Sequence, residues 1–411
     1  PKWKPDFGPA DLNAGAGATV IGMRDFLIAY NINLNTKDHR LATDIAFELR
    51  ESGRSKRTPH PDSPNLLDGE IVRNEDGSSV KMKGLFKDVK GVGWYIQTFK
   101  RAQISFNFNN YKVSAVHDVF DEACRLAEER GIRVTGSELV GLVPLEALLM
   151  AGYHYLEKQR RTTGVPERDL IEVAVQSLGL NDITPFEPEE KIIEYAVGKS
   201  VGKLMSCTTS DFVDELSSNS PAPGGGSVSA LAGSLGAALS SMVAALTHEK
   251  KEWIELKPEM DKIGVKAQEI KDRLSFLVDE DTKAFNKLMV ANRLSSGNDD
   301  ETSERASAIR QANEYAIEIP LEVAILCSRV IDLTKVLVEK GNPNSISDVG
   351  VAADVALAGV RGASMNVLIN LPNLKDEVYC NDKRKAVEKL IQDAETKRNI
   401  VFDKTMKIIN P

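Results

Sequence analysis

From Asp211 to the end of the chain no segment carries a convincing strand signal, and helical periodicity is sustained instead. Apolar residues recur at three- and four-residue intervals through 227–247, 256–292, 301–340, 348–371 and 374–408. Each such stripe must be buried against a neighbour, so this half predicts an all-α bundle. Pro320 lies inside the third stretch and is expected to kink it.

The first half has a different pattern. "DFLIAYNINL" (25–34) is rich in β-branched and aromatic residues, as strands are. A helix follows, with Thr36 as its expected N-cap and Leu41, Ile45 and Leu49 on one face. "GVGWYIQTF" (91–99) and "AQISFNFNN" (102–110) suggest a hairpin. An amphipathic helix over 117–131 ends at Gly131, an extended segment follows, and Pro144 opens a further helix. The order is β-α-β-β-α-β, the ferredoxin-like pattern. Residues 56–88 interrupt it as an excursion or a partly disordered loop. The expected fold class is therefore α+β: a ferredoxin-like subdomain with trailing helices over 1–197, a polar linker over 198–210, and an all-α helical bundle domain over 211–411.

Composition excludes several classes. The chain has 411 residues, 42% hydrophobic and 27% charged, with net charge -8. That balance argues against nucleic acid as a partner. No stretch approaches the roughly 18 uninterrupted apolar residues of a membrane span, so no membrane is expected. The opening "PKWKPDFGP" lacks the basic and apolar regions of a signal peptide. Cys124, Cys207, Cys327 and Cys380 are scattered, without CxxC, and read as reduced thiols of a cytoplasmic protein. The five histidines show no metal-binding spacing, so no metal is expected. The basic clusters 54–57 and 81–90 read either as solvated loops or as a landing strip for an anionic ligand tail.

Four features could carry chemistry. In "LSFLVDEDTKAFNKLMV", Asp281 falls on the apolar stripe between Leu277 and Phe285, whereas Asp279 and Glu280 point elsewhere and can reach Lys283. A desolvated carboxyl holds its proton to higher pH and can serve as a general acid; a buried helix cap would look the same. Asn366 and Asn370 share a helix face amid apolar neighbours and either bind a heterocycle or tie helices together. Ser345 and Asp348 form an S-x-x-D capping pattern at the start of that helix. In "SPAPGGGSVSALAGSLGAAL", Gly224, Gly225 and Gly226 lead to Ser227, the expected N-cap of a small-residue helix. No GK[ST] follows, so this is not a nucleotide loop. It is a helix N-terminus that either faces a ligand or only permits close helix packing. "PDFGPADLNAGAGATVIG" (5–22) is either a mobile entry loop or a backbone surface for a flat ligand.

Together, "KPDFGP…GATVIG…FLIAYNINL", "GVGWYI", "GSELVGLVPLEALL" and "PFEPEEKIIEY" resemble the second formiminotransferase subdomain of the formimidoyltransferase-cyclodeaminases. "SPAPGGGSVSALAGSLGAALSSMV", "LVDEDTKAF" and "SDVGVAADVALAGVRGASMNVLINL" resemble their cyclodeaminase domain, which is similar to the methenyltetrahydrofolate cyclohydrolases. The resemblance covers nearly the whole chain. It implies a folate-dependent lyase and transferase of histidine degradation and one-carbon metabolism. A formimino group would pass from N-formimino-glutamate to tetrahydrofolate, the carrier substrate, and ring closure to 5,10-methenyltetrahydrofolate would release ammonia. It implies Asp281 as the deaminase proton donor. Gly8, Pro9, Gly15 and Gly17 would bind folate in the transferase part, and Gly224, Gly225, Gly226, Ser227, Asn366 and Asn370 in the deaminase part. It implies a homo-oligomer and a polyglutamylated folate. In the family a first transferase subdomain, with the catalytic histidine, precedes "PDFGP", and this chain is expected to lack it. The alternatives are a methenyltetrahydrofolate cyclohydrolase and a non-catalytic folate-binding or assembly module.

Overall fold

The computed structural model describes residues 4–198 and 204–411, apart from 12, 16 and 296. They form two compact units: one comprises Pro1–Ala147 and Val175–Ile193, the other Leu148–Ala174 and Glu194–Pro411. Residues 199–203 of the expected linker lie outside the described residues.

The first unit follows the β-α-β-β-α-β order read from the sequence, with an insertion. In chain order it has β1 (Ile28–Leu34), α1 (His39–Leu49), β2 (Arg54–Ser55), β3 (Lys81–Met82), β4 (Val89–Ile96), β5 (Arg101–Phe108), α2 (Val116–Glu129) and β6 (Val134–Val140). The main sheet has the order β4-β5-β1-β6 and every pair is antiparallel. Strand alternation sorts β1 cleanly: Ile28, Tyr30, Ile32 and Leu34 are fully buried. The buried face of α1 supplies Ala42, Ile45, Ala46 and Leu49. Gly93 sets how closely β4 approaches α1, since a Cβ there would lie 2.2 Å from the Thr43 nitrogen. The helix cap is Asp38, not Thr36: its Oδ1 accepts the Arg40 N–H at 2.8 Å.

The insertion is ordered rather than an excursion. β2 pairs with β3, and Arg57 donates to the carbonyls of Leu67 and Gly69 at 3.0 and 2.7 Å. Arg54 reaches Asp44 at 2.5 Å and Glu48 at 2.7 Å. Two cations of the 54–57 cluster, Arg54 and Arg57, are thus spent on internal bonds, which corrects for them the reading as a solvated loop.

The chain then forms α3 (Leu145–Lys158), α4 (Glu167–Leu178), and the single turns α5 (Pro188–Lys191) and α6 (Ile193–Ala196). The second unit continues with α7 (Thr209–Ser217), α8 (Gly225–His248), α9 (Lys257–Asn292), α10 (Asp299–Lys340), α11 (Ile346–Asn370) and α12 (Glu377–Ile409). Helix α10 runs unbroken through Pro320. Helix α8 packs on α9, α10 and α11, and α11 packs also on α10 and α12. Small residues make this possible. A Cβ on Gly233 would fall 2.3 Å from the Cys327 sulfur, and one on Gly359 would fall 2.6 Å from it. Three helices therefore meet at Cys327, and complete burial pushes its thiol up to about 12.

Two capping expectations change here. The N-cap of α8 is Gly224, so Ser227 sits inside the first turn. Ser345 precedes α11 but makes no side-chain cap bond. The membrane reading also needs correction: α8 and residues Pro343–Asn373, which include α11, are long and apolar enough to span a bilayer. Both are central helices of the bundle, and half or more of each apolar window is buried within it.

Candidate active site

Helix α9 carries the run Val278-Asp279-Glu280-Asp281 past the first turn of α8. The expectation that only Asp281 turns inward is not met: Asp279 and Glu280 are each 7% exposed. Both are fully engaged. Asp279 accepts the N–H groups of Leu204 and Met205 at 2.9 and 3.3 Å. Glu280 accepts from Lys283 at 2.6 Å and from the Tyr315 hydroxyl. Burial pushes the Glu280 carboxyl up, but Lys283 and Tyr315 outweigh it and hold it below the usual carboxylate range.

Asp281 has no cationic partner among the described residues. Burial pushes its pKa above the ordinary value, against the opposing bonds from the Ser227 hydroxyl and backbone N–H. The Ser227 hydroxyl lies 3.2 Å from Asp281 Oδ2 and 2.8 Å from the Val278 carbonyl, to which it donates better. Thr282, which sequence reasoning missed, places its hydroxyl 3.4 Å from Ser227 Oγ. Its only sequence signal is its position beside Asp281, one helical turn after Val278.

The glycines before the helix give this carboxyl its space. A Cβ on Gly226 would stand 2.0 Å from Asp281 Oδ1, so only glycine lets α8 close on the acid. A Cβ on Gly225 would stand 3.4 Å from Asn366 Nδ2. Gly225, Gly226, Ser227, Asp281 and Asn366 therefore converge from α8, α9 and α11. Asn366 donates to the Gly362 carbonyl at 2.9 Å, and its Oδ1 accepts no bond among the described residues. Asn370 is used differently. Its amide nitrogen donates to the Ala316 carbonyl at 2.9 Å and to the Asn366 carbonyl at 3.0 Å, tying α11 to α10.

The unit-one glycines do not assemble a pocket among the described residues. Gly8, Pro9, Gly15 and Gly17 are exposed. Gly17 closes a small turn on the Asn13 carbonyl at 2.8 Å, with φ at +67°. A denser polar group lies on one face of the main sheet, and the sequence reading overlooked it. Asn33 donates to Asp182 at 3.0 Å, Gln103 donates to Asn33 at 2.9 Å, and Asn31 and Gln103 each reach Glu138 at 3.4 Å. Arg101 pairs with Asp182 at 2.8 Å. The alternation "YNIN" in β1 was the available signal.

The family comparison agrees with this division. A model described as the formiminotransferase domain matches residues 29–198, and one described as formiminotransferase-cyclodeaminase matches residues 208–389. The mouse formimidoyltransferase-cyclodeaminase is 38% identical over 404 residues, covering 98% of this chain and 70% of the relative. The chain belongs to the formimidoyltransferase-cyclodeaminase family. The match over residues 29–198 overturns the expectation that a transferase subdomain is missing. Two single-activity proteins resemble the separate parts of this family member. A methenyltetrahydrofolate cyclohydrolase of Methylorubrum extorquens is 36% identical over 203 residues, 49% of this chain and 98% of the relative. A glutamate formimidoyltransferase of Thermoplasma acidophilum is 33% identical over 156 residues, 38% of this chain and 41% of the relative.

Proposed function

We propose that this folate-dependent enzyme of histidine degradation converts 5-formiminotetrahydrofolate to 5,10-methenyltetrahydrofolate and ammonia at Asp281, and that its first half is a glutamate formimidoyltransferase. The observation that carries the deaminase assignment is a desolvated carboxyl without a cation, held by Ser227 beside glycine clearance. Folate N10 adds to the formimino carbon, and the resulting aminal holds the nitrogen that must depart. Amide ion is too basic to leave, so Asp281 protonates that nitrogen as the C–N bond breaks. The lone pair of a ring nitrogen then completes the methenyl cation, and the carboxylate takes up the proton that N10 sheds. A positioned general acid contributes about 100- to 10,000-fold to such a step. Asn366, whose carbonyl oxygen accepts no bond among the described residues, and the Gly225 backbone would hold the pterin.

The cyclohydrolase reading has specific support, because 98% of the Methylorubrum cyclohydrolase aligns with this chain. Ammonia release from 5-formiminotetrahydrofolate, assayed beside hydrolysis of 5,10-methenyltetrahydrofolate, separates the two. Turnover of the second substrate alone would overturn the deaminase assignment. In the transferase half, the donor is N-formimino-glutamate, and the polar face bearing Asn31, Gln103 and Glu138 is the companion to the glycine loop 8–17. Exposed Lys83, Lys87 and Lys90 suit a polyglutamylated folate. The four scattered cysteines, without a CxxC pair, suit a cytoplasmic setting. Val228, Leu235, Met242 and Leu246 form an exposed apolar stripe at helical spacing on α8, which supports a homo-oligomer.

A further inference from the structure

An open cavity of about 370 Å³ lies in the helical unit, lined by Arg160, Arg161, Thr162, His248, Glu249 and Lys257. Three of these six side chains are permanent cations. Arg161 is paired with Glu249 at 2.9 Å, whereas Arg160 and Lys257 have no ion-pair partner among the described residues. His248 is 7% exposed and makes no hydrogen bond or ion pair among the described residues. Neither ring nitrogen is among the buried atoms without a partner, so the imidazole presents its nitrogens to the open cavity, where a ligand can bond them in place of water. Burial first, and the Lys257 charge second, hold its pKa below the usual value. The ring is thus a neutral hydrogen-bonding group at pH 7, and Arg160, Arg161 and Lys257 stand against the carboxylates of Glu249 and Asp261, which leaves one net positive charge.

The wall of the cavity is built to hold its shape. Helix α3 ends in a Schellman turn: the Arg160 N–H donates to the Glu157 carbonyl at 2.9 Å and the Arg161 N–H to the Leu156 carbonyl at 2.9 Å. The first of these two residues needs a left-handed backbone. At the end of α2 that position is Gly131, at φ +69°, but here it is Arg160, at φ +58°. A side chain is strained in this conformation, and glycine is not. The next residues are clamped to α9. The Asp261 carboxylate accepts from the Thr162 hydroxyl at 2.9 Å and the Thr163 N–H at 2.6 Å. Lys257 is the first residue of α9, which follows directly on a 3-10 helix over Lys251–Leu256; its N–H is already bonded to the Ile254 carbonyl, so the charge at the site comes from side chains.

We propose that this cavity is a binding site for a small molecule bearing a doubly charged oxyanion, a phosphate or a dicarboxylate. The guanidinium of Arg160 and the ammonium of Lys257 engage the oxygens, and His248 supplies a neutral hydrogen bond from the buried side. The site uses none of the residues assigned to the deaminase, so it stands or falls apart from that assignment.

The test is isothermal titration of the full chain at pH 7 with inorganic phosphate and, separately, with glutarate, repeated on Arg160→Gly and Lys257→Ala. Wild-type protein is expected to bind at least one probe at millimolar concentration or below; phosphate alone marks a phosphate-bearing ligand, glutarate alone a carboxylate one. Each substitution should weaken binding about tenfold or more, because it removes a charge-assisted contact. Arg160→Gly should hold or raise the thermal midpoint, since glycine relieves the left-handed backbone, so a loss of binding cannot be blamed on unfolding. Deaminase turnover should stay at the wild-type level in both variants. Binding of neither probe, or binding undiminished by both substitutions, overturns the proposal.

Discussion

Asp281 differs from its two acidic neighbours in what surrounds it, and that difference fixes its behaviour with pH. Asp279 is held by two backbone N–H groups and Glu280 by Lys283 and Tyr315, while Asp281 is bonded by Ser227 alone among the described residues. Its folded pKa is raised. A carboxyl raised on folding adds stability that is fully present below its unfolded pKa and lost as pH rises through the folded pKa. Asp281→Asn removes this loss. The variant should therefore match or exceed wild-type stability at pH 7, with the difference shrinking below about pH 4, where both states are protonated. Its deaminase rate should fall about 100- to 10,000-fold. Urea titrations across pH and initial-rate assays check both, and near-wild-type turnover would remove Asp281 from the mechanism. In wild type, a rate limited by this acid should decline as pH rises through the raised pKa. Gly226→Ala is the steric counterpart. The new methyl would stand 2.0 Å from Asp281 Oδ1, so the carboxyl or the helix must move. Overpacking of this kind costs about 1–3 kcal/mol, and displacement of a reacting group by about 1 Å can cost 100-fold in rate. A variant that folds and turns over normally would show that the clearance is not needed for catalysis.

Among the elements, the long helices of the second unit were legible because each carries its own 3.6-residue stripe, and local periodicity needs no knowledge of partners. The expected 256–292 and 301–340 stand as Lys257–Asn292 and Asp299–Lys340. What the sequence hid was always a distant partner. Asp279 looks like a surface residue until Leu204 and Met205 arrive from 75 residues away. Arg54 reads as part of a basic loop, yet it meets Asp44 of α1 inside the first unit. Asp44 is fully buried and also accepts from Arg130 at 2.7 Å, so one helical carboxylate holds the insertion and the end of α2. Removing one partner of a buried ion pair costs about 3–5 kcal/mol because the remaining charge stays buried. Asp44→Ala leaves Arg54 and Arg130 with Glu48 alone, at 2.7 and 2.8 Å, and should lower the unfolding free energy of the first unit by up to about that amount in chemical denaturation. A loss below about 1 kcal/mol would mean that water already solvates these guanidinium groups. The active-site glycines were only half legible. Their arrival at a helix start followed from the small-residue run, but the carboxyl they make room for lies on another helix.

Across the whole molecule, two chemistries on one chain imply an intermediate that one part makes and the other consumes. The polar sheet face of the first unit and the Asp281 site of the second share no residue, so each should be open to inactivation alone. Asp281→Asn supplied with N-formimino-glutamate and tetrahydrofolate should still transfer the formimino group. It should then stop at 5-formiminotetrahydrofolate, because the carbon–nitrogen bond no longer breaks at a useful rate. Absorbance of the methenyl product should fall away while glutamate release continues, and a chromatographic assay should find the formimino intermediate accumulating in proportion to that glutamate. Asn31→Asp with Gln103→Ala, placed on the sheet face, should give the reverse: glutamate release falls, while 5-formiminotetrahydrofolate added from outside is still deaminated. If Asp281→Asn stopped glutamate release as well, the two chemistries would not be separable by residue, and the division of labour between the two units would be wrong.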